Sequence, residues 1–334
     1  MKKCRSVIAY LLAATFILSM FLSSGPITVV QAEEETKELT SPVTMVSNNL
    51  QVDVTFTNSG LRVTRLYDAL NSKDLLSTNT NRPIFTIYLD GATLESTSGW
   101  SSVKASLNGS IYTYVFSGNS KAPGVTVTIT VDTGTADTMK WKIQIDNDSN
   151  KTVRDIKFPQ LFIRNLGPNG KVFYPEQAGK VYDLWTTGMG FGATYPSCQA
   201  TMPYVAAYNG ETGIYFGMHD PNVDIVIPYA DGLKETNEVE LGFETSAPDY
   251  TKPGNDYNRE AQAYLQLTTD WYDAAMIYRN WVENNATWWP EIDENGRVDT
   301  PDWYKKLNVW TKTENWSGET PDDTTRLVKA FQEY

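Results

Sequence analysis

The chain holds 334 residues, 41% of them hydrophobic, with 40 Asp+Glu against 28 Lys+Arg, one histidine and two cysteines, for a net charge of −12 at neutral pH. An acidic surface repels a phosphate backbone, which excludes nucleic acid as a partner. One histidine and two cysteines cannot furnish a zinc cluster.

Residues 1–32 read as a cleaved export signal. Lys2, Lys3 and Arg5 form a basic start, residues 7–22 an apolar run, and Val30-Gln31-Ala32 places small residues where a signal peptidase cuts. The run falls short of the roughly 20 residues that cross a bilayer. The expectation is a secreted protein, extracellular or at the cell surface, with no stable membrane insertion after cleavage. Cleavage removes three basic residues and no acid, moving the net charge from −12 to −15. It also removes Cys4, so Cys198 can form no intramolecular disulfide. Stability must then come from core packing, and the roughly 300 residues left suffice for one large domain and part of another.

Residues 33–41 are polar and acidic and read as a flexible lead-in ending at Pro42. A two-residue period follows, with Leu50, Val52, Val54 and Phe56 sharing one parity. It recurs at 85–89, 111–116, 125–131 and 141–145, with turn residues such as Asn58-Ser59-Gly60 and Asn108-Gly109-Ser110 between the runs. This predicts half-buried antiparallel strands. A hairpin of residues 204–208 and 214–217 across Asn209-Gly210-Glu211-Thr212-Gly213 comes next, then strands at 239–243 and 261–267. No helical pattern interrupts residues 50–267. After Thr269 the period changes: Trp271, Ala274, Ala275, Tyr278, Trp281 and Val282 share one helical stripe, and Pro290 follows. Residues 307–310 read as a short buried strand. Thr320-Pro321-Asp322-Asp323 reads as the start of a helix carrying Leu327, Val328, Phe331 and Tyr334. One strand and one helix cannot bury those faces alone.

The predicted fold class is mainly β. It comprises an export signal (1–32), a large antiparallel β-supersandwich (33–268), a connecting helix and linker (269–302) and the first β-α unit of an incomplete (β/α)8 barrel (303–334).

Several stretches resemble secreted glycoside hydrolases that carry a galactose-mutarotase-like supersandwich before a (β/α)8 barrel, α-galactosidase-like enzymes among them. Residues 60–68 (GLRVTRLYD) are similar to the opening hairpin of such sandwiches. Residues 141–147 (WKIQIDN) with Ile156-Lys157-Phe158-Pro159 resemble their paired central strands. Residues 213–221 (GIYFGMHDP) resemble a strand of an incompletely characterised group of barrel hydrolases, and residues 270–281 resemble its bridging helix. The resemblance spans most of residues 45–334. It implies cleavage of O-glycosidic bonds by two carboxylates from later barrel strands, so no residue here inherits a catalytic role and the chain alone is expected to be inactive. A non-catalytic carbohydrate-binding module is the alternative.

The expected partner is carbohydrate. Barrel sites form at the C-terminal ends of strands, which makes the loop 311–318 with Lys312, Glu314 and Trp316, beside Trp310, the first substrate-binding candidate. Aromatic rings stack on sugar faces because C–H groups meet the electron-rich ring. Trp185 shares a sandwich segment with Glu176 and Asp183 that can lean over a barrel mouth, where rim or structural roles fit better than a catalytic pair. His219, beside Asp220-Pro221 at a strand end, is the remaining candidate, with a turn-bonded histidine as the structural alternative. Cys198 reads as a buried or idle thiol, and Trp271, Tyr278, Trp281, Trp288 and Trp289 as core. Residues 220–224 are acidic but lack a recognised calcium spacing. No metal and no cofactor is expected.

Overall fold

The computed structural model describes residues 36–307, 325–326 and 328–329. Val125–Thr135 shows how the alternation is used. Val125, Val127, Ile129 and Val131 are buried while the threonines between them are half-buried. β-Branched side chains suit such a pleated surface. The strand pairs with Ile111–Ser117 on one side and Thr138–Asn147 on the other.

Among the described residues three antiparallel sheets dominate. The largest runs Lys37–Glu38, Ser102–Asn108, Ile111–Ser117, Val125–Thr135, Thr138–Asn147, Gln262–Leu267, Gly213–His219, Tyr204–Tyr208, Lys171–Tyr174 and Lys180–Tyr182. The second runs Gly190–Gly192, Ile227–Leu233, Glu238–Ser246, Val153–Arg164, Thr86–Leu89 and Ala92–Glu95. The third runs Val43–Ser47, Leu50–Thr57, Gly60–Asp68 and Lys73–Asp74. One apolar core joins them. Phe216 of the largest sheet meets Phe243 of the second with ring centroids 4.8 Å apart, and Tyr114 meets Phe56 of the third at 6.2 Å. The molecule is a mainly antiparallel β-sandwich, as its sequence pattern predicts.

The hairpin Tyr204–Tyr208 with Gly213–His219 is buried on both faces. Its inner face, with Val205, Ala207, Ile214 and Phe216, enters the sandwich core. Its outer face, with Tyr204, Ala206, Tyr208 and Tyr215, lies beneath the helix Trp271–Asn285. Asp270 caps that helix, its carboxylate accepting from the backbone N–H groups of Tyr272 (2.7 Å) and Asp273 (2.9 Å). Ala274, Tyr278 and Val282, each four residues from the next, are its buried stripe. Burial of a side chain such as Val282 contributes about 1.5–3 kcal/mol. A helix of this length is marginal alone in water, so tertiary packing holds it.

Five expectations are corrected. The segments 141–147 and 156–159 do not pair: the first lies in the largest sheet, whereas the second pairs with Glu238–Ser246 and Thr86–Leu89. The chain crosses from the largest sheet to the second between them. The lead-in is not wholly irregular, because Lys37 and Glu38 pair with Leu107 and Ser106. A single helical turn, Leu184–Thr187, interrupts the strands. Trp271 is 49% exposed in the first helical turn, where its ring contact among the described residues is Tyr272, not the aromatic cluster. Trp288 and Trp289, read as core, are 39% and 41% exposed.

The strand expected at 307–310 begins with a Leu307 that is exposed and not in a strand, and residues 308–310 lie outside the described residues. The final helix is described only at 325–326 and 328–329, which are helical.

Phe216→Ala, which empties an inter-sheet contact, is expected to lower unfolding free energy by about 3–5 kcal/mol in urea titrations. Leu70→Ala, at a side chain 72% exposed, should shift it by less than about 0.5 kcal/mol.

Candidate functional site

The segment after Lys171–Tyr174 turns sharply, with the Gly179 N–H donating to the Glu176 carbonyl at 2.9 Å. This turn brings Glu176 within 2.7 Å of Lys180 Nζ, and the carboxylate raises the lysine pKa. A surface pair of this kind contributes little stability. Thr201 ties the following loop to the turn, donating from N–H and Oγ1 to the Pro175 carbonyl at 3.1 and 2.9 Å. Tyr182 stacks on Phe191 at 4.6 Å, and Tyr174 lies 5.7 Å from Phe191 on its inner side. Burial pushes the Tyr174 hydroxyl up to about 12. Tyr174, Glu176, Gly190, Phe191, Gly192, Ala193 and Gln199 enclose about 210 Å³. That lies below the roughly 300 Å³ at which small-molecule sites begin. Gly190, Gly192 and Gln199 carry no motif that marks them in the sequence. The alternation of glycine around Phe191 was the available signal.

Trp185 does not face this recess. It is 1% exposed and its indole N–H donates to the Ile163 carbonyl at 3.2 Å. Its ring therefore has no open face for a sugar, and the substrate-binding expectation is corrected for Trp185. Asp183 is a helix cap, accepting from Thr186 N–H at 3.2 Å and Thr186 Oγ1 at 2.8 Å. Cys198 is exposed, not buried. Trp310, Lys312, Glu314 and Trp316 lie outside the described residues.

His219 closes the both-face-buried strand and is itself 2% exposed. Its imidazole stacks on Tyr264 at 3.9 Å and meets Trp281 of the helix at 4.6 Å. Nε2 lies 2.6 Å from the Tyr215 hydroxyl. That contact depends on Gly217, since a Cβ there would sit 2.2 Å from the Tyr215 oxygen. Burial keeps the Tyr215 hydroxyl protonated, and the direction of its hydrogen bond with Nε2 follows the imidazole tautomer. Nδ1 has no partner among the described residues. Burial, and then the charge of Lys140, depress the His219 pKa well below its ordinary value. These features make His219 a neutral core residue and correct its expected contact with substrate. Asp220 accepts from Asn222 N–H and Asp224 N–H, both at 2.8 Å, and so organises the turn.

Among the described residues, no group of three or more His, Cys, Asp or Glu side chains is placed to hold a metal. Among the described residues, no helix is long and apolar enough to cross a membrane.

No family model matches the chain. A relative provisionally named glycoside hydrolase 22789, from Monosiga brevicollis, is 24% identical over 186 residues, covering 53% of this chain and 15% of that protein. The chain thus spans a small part of the relative it matches. Among solved structures it is similar to the galactosidase domain of an α-galactosidase–sucrose kinase, with a TM-score of 0.47 and 13% identity over 72% of this chain and 42% of that one. A family 36 α-galactosidase variant of Geobacillus stearothermophilus in complex with stachyose gives a TM-score of 0.47 and 8% identity, covering 73% and 43% of the two chains. A Klebsiella pneumoniae protein provisionally named aldose 1-epimerase gives 0.42 and 8%, covering 71% and 82%.

Because the folded-state pKa of His219 is depressed, its contribution is complete above the unfolded value near 6.5 and falls as pH drops below it. Unfolding free energy measured from pH 8 to pH 5 should fall more steeply for the native chain than for His219→Phe, by up to about 1.4 kcal/mol per pH unit. Parallel curves would show that the imidazole is not held neutral.

Proposed function

We propose that this chain is the β-sandwich part of a secreted glycoside hydrolase acting on O-glycosidic bonds, and that cleavage depends on carboxylates outside it. The observation that carries this reading is the 24% identity over 186 residues to the Monosiga brevicollis glycoside hydrolase. Glycoside hydrolysis requires two carboxyl groups flanking the bond, one to protonate the leaving oxygen and one to attack or to activate water. The acids that the site segments supply are otherwise engaged: Glu176 with Lys180, Asp183 in a helix cap and Asp220 in a turn. In this reading the Glu176–Gln199 recess forms part of the substrate rim, and the helix Trp271–Asn285 fixes where the following polypeptide leaves the sandwich. The basic-then-apolar amino end agrees with export, and the acidic balance with a soluble secreted protein.

The chain lacking residues 1–32 should release no product above a protein-free blank from a panel of aryl α- and β-glycosides, while binding saccharides in calorimetric titrations. Robust hydrolysis by the chain alone would contradict the placement of the catalytic groups outside it.

A further inference from the structure

We propose a second saccharide site on the sandwich, remote in sequence from the Glu176 recess: a groove of about 390 Å³ walled by Ile225 and Tyr250, with Glu244 and Arg259 inside it. The volume lies within the roughly 300–1,000 Å³ of small-molecule sites. The proposal rests on the carbohydrate reading above and places a specific contact surface within it.

The groove forms where two strands of the second sheet end. Ile227 and Glu244 are cross-strand partners, and the chain continues from Ser246 through the loop that carries Tyr250. Thr245 turns inward, where its hydroxyl meets the Tyr257 hydroxyl at 2.9 Å, so Glu244 and Ser246 take the outward face. Arg259 ties the two rims together. Nη1 donates to the Ile225 carbonyl at 2.9 Å and Nη2 to the Ser246 carbonyl at 3.1 Å. The guanidinium also lies 5.7 Å from the centre of the Tyr257 ring. Arg259 is therefore positioned without any carboxylate partner among the described residues, although Glu244 lines the same groove.

Glu244 makes no ion pair in the described structure. Lys157, directly opposite it on the neighbouring strand, lies over the Tyr229 ring at 4.8 Å instead. The groove thus offers a half-buried carboxylate acceptor and an oriented guanidinium donor between two exposed apolar side chains. Tyr250 is 54% and Ile225 62% exposed. Hydrogen bonds organise the turn that leads to Ile225. Val223, two residues earlier, has φ +59°, a conformation that a β-branched residue adopts only when its surroundings impose it. The Asp220 carboxylate imposes it by accepting the N–H groups on either side.

This chemistry fits a hexopyranose. The Tyr250 ring takes the C–H face of the sugar, Glu244 accepts from its hydroxyls, and Arg259 donates to neighbouring oxygens.

The test compares the chain lacking residues 1–32 with its Tyr250→Ala and Glu244→Gln variants. Each is titrated by calorimetry with maltotriose, cellotriose and α- and β-linked galactotriose. Both substitutions lie at the surface, and unchanged unfolding midpoints would show that the fold is intact. The expected result is that at least one trisaccharide binds the native chain and that each variant weakens its binding about ten-fold. Equal affinity in native chain and variants places the saccharide elsewhere, overturning the groove and leaving the carbohydrate reading intact. Absence of binding by the native chain to every trisaccharide overturns both.

Discussion

The arrangement depends on a hairpin that must be covered twice. Tyr204–Tyr208 and Gly213–His219 have no solvent face: one side belongs to the sandwich core, the other to an aromatic layer of Tyr204, Tyr215, Tyr264 and Phe173. A two-layer sandwich covers only the first side. The helix Trp271–Asn285 covers the second, inserting Tyr278 beside Tyr204 at 5.5 Å and Trp281 beside His219 at 4.6 Å. The histidine is neutral because this third layer removes it from water, and the Tyr215–His219 contact exists because Gly217 leaves room for it. The same docking directs the chain past Thr287, whose N–H and hydroxyl donate to the Pro221 carbonyl at 3.4 and 2.7 Å.

That geometry bears on function through placement. The Asp220 turn organises the chain leading to Ile225, and Pro221 beside it receives Thr287 just past the helix. The Glu176 recess is linked to the same helix by its 195–203 loop, in which the Tyr195 hydroxyl reaches the Tyr278 hydroxyl at 3.4 Å. Polypeptide leaving the helix therefore starts near the Asp220 turn and the 195–203 loop. Of the acids in these loops, Glu176 is held in an ion pair, Asp183 in a helix cap and Asp220 in a turn.

Much of the fold was legible because strand period is a local property. Leu50–Thr57, Ile111–Ser117 and Val125–Thr135 bury one parity and wet the other, and turn residues divide them. The unbroken apolar run of residues 204–208 signals burial on both faces but carries no sign of what covers the outer one. Pairing across long loops was less legible. Residues 141–147 and 156–159 resemble paired central strands, yet a strand pattern does not specify which sheet a strand joins. Trp271 shows the same limit on the helix: its angular position matches Tyr278, but whether anything lies opposite the first turn depends on tertiary placement. Sites fared worst. Trp185 and His219 carry the residue types of sugar and acid–base chemistry, and only solvent exposure shows both to be core. Arg259, Glu244 and Tyr250 come from three separate stretches, which no spacing rule connects.

The central claim is that helix and hairpin form one cooperative unit. Native-state amide hydrogen exchange tests it most directly. The account predicts that amides of residues 275–282 open with the same free energy as those of residues 205–207 and 214–218, and show the same dependence on denaturant. Helix amides exchanging at far lower free energy, with the hairpin still protected, would contradict it and leave the aromatic layer without its structural role.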